Sequence, residues 1–259
     1  METNLSLAKI LGDNKSGSVE LLLKINAFLK VEIEKNEDIS DFIVILRNHF
    51  RPYAAIEDYF DKLSRIENKN YLPYLLDFER KRQNVFLGIY LNLKPHLFPK
   101  AKIITISNSK TLLSVFELAA KDFPDLEYFI SESRPVNEGR LLANKLSEFS
   151  DNVSLITEAM HSKFVEKSDL CIIGTDKILE NHNVINKIGS KNLAILCKYY
   201  NKPFIVLSEK SKFSREKTLE QSIHSSLEIY GESCNFRIAE NHYFEEIPKD
   251  LVTHLIIEE

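Results

Sequence analysis

Up to about residue 98 the apolar positions recur at helical spacing, as in Leu22, Ile25, Leu29 and Ile33, or Phe42, Ile45, Leu46 and His49, with almost no glycine between them. This rhythm predicts a bundle of helices. A break at "FRPYAAIEDYF" starts a new helix after Pro52, because proline suits a first helical turn and disfavours helix in the residue before it. The next long segment, "YLPYLLDFERKRQNVFLGIYLNL", places Leu75, Phe78, Val85, Phe86 and Ile89 on an apolar face, and its cluster Glu79-Arg80-Lys81-Arg82 reads as a solvated face. "KPHLFPK" then reads as a short hinge marked by prolines.

Beyond the hinge the rhythm changes to short β-rich runs alternating with helical stretches. "KIITI" precedes a helix from Thr111 to Lys121, "LEYFIS" one from Glu138 to Phe149, and "NVSLIT" one through Phe164; "LCIIG" precedes a helix from Leu193 to Tyr200, followed by "PFIVLS". Such alternation, with apolar runs of this length, predicts an α/β fold whose parallel sheet is covered on both faces. The expected domains are therefore a helical one at 1–98 and a parallel-sheet one at 99–259.

In open parallel sheets, ligands gather at the carboxyl ends of the strands. The residues there are Ser107-Asn108-Ser109, Ser133-Arg134-Pro135, Thr157-Glu158, Thr175-Asp176 and Ser208-Glu209. "SNSKT" offers hydroxyls and N–H groups at a helix start, which suit an anion or simply a helix cap. "SESRPVNEGR" presents Arg134 and Arg140 from a turn, a pattern suited to phosphate or carboxylate; an internal salt bridge from Arg134 to Glu132 or Glu138 accounts for it equally well. Asp176, just past "LCIIG", is either a turn residue or a carboxylate whose pKa a partly dry pocket would raise toward acid/base use. "NKIGS" supplies Asn186, Lys187 and a glycine at a helix start, a plausible sugar-phosphate grip.

Composition narrows the partners. With 34 Lys+Arg against 38 Asp+Glu and a net charge of -4, the chain has no basic field to draw it onto nucleic acid. Cys171, Cys197 and Cys234 are odd in number and lack CxxC spacing, which argues against a disulfide framework or zinc site and favours a reducing compartment. His96, His161, His182 and His242 show no metal spacing and read as surface or interface residues, while Cys171 and Cys197 read as buried hydrophobes. The first residues carry no basic leader pattern, and no apolar run approaches the roughly 20 residues of a membrane span. A cytoplasmic protein without metal, cofactor or membrane contact is expected.

Read in order, three segments resemble one family. They are "SESRPVNEGRLLANKL", "CIIGTDKILENHNVINKIGSKNLAILCKYYNKPFIVLSEKSKF" and "NHYFEEIPKDLVTHLIIEE". The family contains the α, β and δ regulatory subunits of translation initiation factor 2B, together with methylthioribose-1-phosphate isomerase and ribose-1,5-bisphosphate isomerase. The resemblance covers residues from about 101 to 259, and "FRPYAAI" resembles a family Arg-Pro segment, which adds Arg51 to the ligand-binding candidates. It implies an N-terminal helical domain joined to a Rossmann-like domain, a sugar-phosphate or nucleotide pocket between them, and homodimers or assemblies with related subunits. Carried over by position, Asp176 matches the isomerases' acid/base aspartate, Asn186 and Lys187 the Asn-Lys pair that holds substrate, and Arg134 and Arg140 the arginines.

The departure is at "TISNSKT", where Ser107 stands at the position of the isomerases' catalytic cysteine. A hydroxyl holds its proton far more tightly than a thiol, whose pKa is about 8.5, and no histidine in the sequence visibly supplies an activating base. The stretch is more similar to that of the factor's β subunit. The resemblance thus favours a non-catalytic protein that binds a sugar phosphate or nucleotide and acts through assembly or regulation. The alternative is an aldose-ketose isomerase of a phosphorylated pentose, with Asp176 as acid/base and Ser107 or a water replacing the thiol.

Overall fold

The structure is a computed structural model that describes residues 6–13, 16–50, 54–66, 70–219, 223–232 and 235–258. Its contacts divide the chain into two compact units at Val85/Phe86, ahead of the hinge read at "KPHLFPK". Among the described residues, no helix is long and apolar enough to cross a membrane.

The first unit is helical: α1 (Leu7–Leu11), α2 (Ser18–Glu34), α3 (Ser40–His49), α4 (Ala54–Ser64) and the start of α5 (Tyr71–Leu93). Its core gathers Leu21, Ile25, Phe28 and Leu29 of α2 with Leu46 of α3, Tyr59 and Phe60 of α4, and Leu75 of α5. Asn26 is buried in that core and fully used: its Nδ2 donates to the Leu75 carbonyl (3.1 Å) and to Glu79 Oε1 (3.2 Å), and its Oδ1 accepts from Tyr59 O–H (2.8 Å). A buried amide satisfied by three elements fixes their register, since an unmet partner would carry a desolvation cost. Glu79 also pairs with Lys30 (2.8 Å), so the charged cluster of α5 is solvated at Arg80 and Lys81 but anchored at Glu79. In α3 the buried stripe is Leu46 and, just past the helix, Phe50, while Ile45 and His49 face outward. The run "FIVIL" is apolar on all sides, so periodicity alone does not choose its face.

The second unit is built on a parallel sheet. Among the described residues its strands are β1 (Lys102–Thr105), β2 (Glu127–Ser131), β3 (Val153–Ile156), β4 (Leu170–Ile173), β7 (Phe204–Leu207) and β9 (His254–Ile256), in the spatial order β3-β2-β1-β4-β7-β9. Chain order reverses direction between β1 and β4, which is the doubly wound Rossmann arrangement. β4 and β7 are buried at every position because they are central, whereas Leu155 on the edge strand β3 is 48% exposed. Helices α6 (Lys110–Asp122) and α7 (Gly139–Leu146) pack on each other, with α7 against β2 and β3; α8 (His161–Lys167) and α9 (Ser190–Tyr199) pack together against β1, β4 and β7. A second, antiparallel sheet of β5 (Lys177–Ile178), β6 (Val184–Lys187) and β8 (Phe244–Ile247) follows β4 in the chain and has no counterpart in the expectation.

Candidate functional site

The switch between β1 and β4 is where the ends of the strands diverge and a crevice forms. Two glycines let the backbone close in there. A Cβ on Gly174, just past β4, would lie 2.6 Å from Ser109 Oγ, the hydroxyl that caps α6 by accepting from Leu112 N–H. Gly189 has φ +99° at the start of α9, and its Cβ would lie 2.9 Å from Ile106 Cδ1.

Beyond β1, Ser107 adopts φ 73°, and beyond β2, Ser133 adopts φ 68°, both in the left-handed region that non-glycine residues seldom enter. Each is held by hydrogen bonds. Ser107 N–H donates to Ser133 Oγ (2.8 Å), Ser133 N–H to Glu158 Oε1 (2.6 Å), and Ser133 O–H to the Ser131 carbonyl (3.0 Å). Strain that is held by surrounding bonds concentrates at functional sites.

The side chains that meet here come from the ends of β1 and β6, the start of β8 and the N-terminus of α7. Ser107 O–H donates to Glu138 Oε1 (3.1 Å), and Lys187 Nζ reaches the same oxygen at 2.6 Å. Both members of the ion pair are almost wholly buried, at 5% exposure for Lys187 and 7% for Glu138. Lys187 Nζ also lies 4.7 Å from the Tyr243 ring centroid and 5.8 Å from that of Phe244. Among the described residues, Glu138 Oε2 and Asn108 Oδ1 are buried without a hydrogen-bond partner. Burial raises the Glu138 carboxyl above its ordinary pKa, opposed by Lys187, its own backbone N–H and Ser107.

Asp176 N–H donates to the Ile185 carbonyl (2.9 Å), as does Thr175 O–H (3.1 Å), which fastens the exit of β4 beside Asn186 and Lys187 on β6. Asp176 is partly buried: burial raises its pKa, and Lys212 and Lys187 pull it back. Asn186 is buried and its Nδ2 donates to Ser190 Oγ (3.0 Å).

The arginines stand differently. Arg134 is exposed and its Nη2 donates to the Ile229 carbonyl (2.7 Å), while Arg140 is exposed and pairs with Glu132, Nε to Oε1 at 2.8 Å. The N–H groups of Gly189 and Lys191 at the start of α9 both donate to Glu245 Oε1 (2.6 and 2.9 Å). The anion grip read in "NKIGS" is therefore met by the chain's own carboxylates. Arg51 lies outside the described residues.

Sequence reasoning assigned no site role to Glu138, Tyr243 or Glu245. Glu138 was visible only as a possible arginine partner; its cation comes instead from the distant β6. His161 is buried rather than a surface residue: Asn192 Nδ2 donates to its Nδ1 (3.2 Å), leaving Nε2–H to donate to Ser131 Oγ (2.7 Å), and burial lowers its pKa. Cys171 and Cys197 are buried, and burial, then Cys197, raises the Cys171 thiol; Cys234 lies outside the described residues. Among the described residues no group of three His, Cys, Asp or Glu side chains is placed to hold a metal.

The model of one protein family, described as the Initiation factor 2 subunit family, matches residues 79–259, more than half of the chain. The chain belongs to this family. Ribose 1,5-bisphosphate isomerase of Methanocaldococcus jannaschii is 32% identical over 111 residues, which are 43% of this chain and 36% of that relative. The chain thus spans little more than a third of that relative's length. A translation initiation factor eIF-2B of Pyrococcus horikoshii OT3 superposes with a TM-score of 0.77 at 24% identity, over 97% of this chain and 93% of that one. A chain of the tetrameric eIF2B-beta2-delta2 complex from C. thermophilum superposes with a TM-score of 0.74 at 16% identity, over 100% and 93%. At these identities the structures share the fold of this family member. Its relatives by sequence carry both kinds of name, isomerase and initiation-factor subunit.

Proposed function

We propose that this member of the Initiation factor 2 subunit family binds a phosphorylated sugar or nucleotide at the carboxyl ends of β1, β2, β4 and β6, and acts in the cytoplasm without catalysis, through assembly as a homodimer or with related subunits. The observation that carries the reading is at Ser107. A hydroxyl occupies the position that the isomerase resemblance gives to a thiol, it is committed to Glu138, and the cysteines among the described residues are buried in the core. A thiolate needs an electropositive, accessible setting, which neither Cys171 nor Cys197 has. Arg134 and Asp176 are the groups assigned to the ligand directly, with Asn186 and Lys187 lining the site while bonded to Ser190 and Glu138. Incubated with ribose 1,5-bisphosphate or methylthioribose 1-phosphate, the protein is expected to return each compound unchanged.

One observation favours the isomerase reading. Glu138 accepts the Ser107 hydrogen and has a raised pKa, so a base stands where histidines are missing, with the raised Asp176 as the second acid/base group. Conversion of either compound, abolished by Asp176→Asn, would establish that reading and overturn the non-catalytic one.

A further inference from the structure

Between β7 and β8 the chain makes a long excursion, and its described residues 223–232 and 235–243 form two legs of a strap. His224 N–H on the first leg donates to the Asn241 carbonyl on the second (2.9 Å), and the His224 ring stacks on that of Tyr243, with centroids 3.5 Å apart and planes 3° from parallel. A single helical turn at Ser226–Glu228 follows.

Glu228 ties the legs together. Its Oε1 accepts from Tyr243 O–H (2.5 Å) and its Oε2 from Asn241 Nδ2 (2.8 Å), which also donates to the Ser225 carbonyl (2.8 Å). Both donors belong to the leg that runs into β8, and that leg is itself anchored: the Tyr243 carbonyl accepts from Ile188 N–H (2.8 Å). A carboxylate using both oxygens in this way fixes the turn that carries it.

One residue further on, the Ile229 carbonyl accepts from Arg134 Nη2 (2.7 Å). This bond differs from those of Lys187 to Glu138 and Arg140 to Glu132, where a carboxylate cancels the charge. A neutral carbonyl holds the guanidinium and leaves its charge in place. The five N–H donors of a guanidinium lie in one rigid plane, so a bond at Nη2 also sets the direction of the rest. Arg134 is exposed, and an exposed arginine without such a hold must be ordered at the moment an anion binds, at a cost in affinity.

We propose that Glu228 is a positioning residue for Arg134: by fastening the strap to Tyr243 and Asn241 it holds the Ile229 carbonyl where that carbonyl aims the guanidinium at a phosphate. This rests on the ligand-binding reading above and adds that a carboxylate on the strap sets the affinity without touching the ligand.

The test is isothermal calorimetry on the full chain with ribose 5-phosphate and inorganic phosphate, comparing wild type, Glu228→Ala and Glu228→Gln. Removing a carboxylate near an anion site would, by its field alone, strengthen binding. Positioning predicts the opposite sign: Glu228→Ala is expected to bind both probes about fivefold more weakly, the scale of ordering one long side chain. In Glu228→Gln the amide can accept from Asn241 and donate to the Tyr243 hydroxyl, so its affinity should stay within about twofold of the wild type. Unchanged or tighter binding by Glu228→Ala, or a loss in Glu228→Gln as large as that in Glu228→Ala, overturns the positioning role and leaves the ligand-binding reading intact. Should Glu228→Ala fail to fold, Tyr243→Phe decides, since it removes one of the two donors and keeps the ring: weaker binding is expected, and unchanged affinity overturns the proposal. A wild type that binds neither probe overturns both the proposal and the reading it rests on.

Discussion

Lys187 carries its charge where water is nearly excluded, and Glu138, 2.6 Å away, makes that tolerable. Removing one member of a buried pair leaves the other uncompensated, at a cost of about 3–5 kcal/mol, whereas removing both can be nearly neutral. Lys187→Met is thus expected to lose about that much stability in urea unfolding, and Glu138→Gln added to it should recover most of the loss. Asp176 obeys a different balance. Burial outweighs the pull of Lys212 and Lys187, so its folded pKa is raised; the stability it contributes is full below the ordinary aspartate pKa and is lost as pH rises through the folded value. At pH 7 the carboxylate is therefore a burden, and Asp176→Asn should stabilise the apo protein by about 0.5–2 kcal/mol, a gain that vanishes near pH 4. Unfolding curves at the two pH values read the difference directly.

Elements were legible in proportion to how completely they are buried. β4 and β7 are covered at every position, so "LCII" and "FIVL" stand out as apolar runs, and the strand ends that follow put Asp176 and its neighbours under suspicion. β5 has two residues and β6 reads Val-Ile-Asn-Lys; their sheet is completed by β8 from near the end of the chain, a pairing that local pattern does not announce. For that reason Asn186 and Lys187 were recognised as chemistry but not as strand residues, and the Glu138 partnership went unread. The strand order itself makes a prediction. Ile104 at the centre is fully buried and Leu155 at the edge is half exposed, so Ile104→Ala should cost about 2–5 kcal/mol and Leu155→Lys should stay within about 0.5 kcal/mol in the same unfolding assay. Gly189 should show the cost of its backbone: with φ +99°, Gly189→Ala is expected to lose about 1–2 kcal/mol, and since the crowding atom is the tip of Ile106, most of that loss is conformational.

At the scale of the whole molecule, the family match over residues 79–259 and the doubly wound sheet direct attention to the switch between β1 and β4, and the proposed function divides the side chains there into those the chain has satisfied itself and those offered to a ligand. Under the ligand-binding proposal, the exposed Arg134, bonded to an uncharged carbonyl, belongs to the second kind. The most direct test is thermal unfolding of the full chain with a panel of sugar phosphates and nucleoside monophosphates, wild type beside Arg134→Ala. At a ligand concentration about 100 times Kd, at least one compound should raise the wild-type Tm by roughly 5 °C or more and raise that of Arg134→Ala far less. A panel in which no compound shifts the wild type, or in which Arg134→Ala shifts as much as the wild type, would contradict a phosphate-bearing ligand at this site.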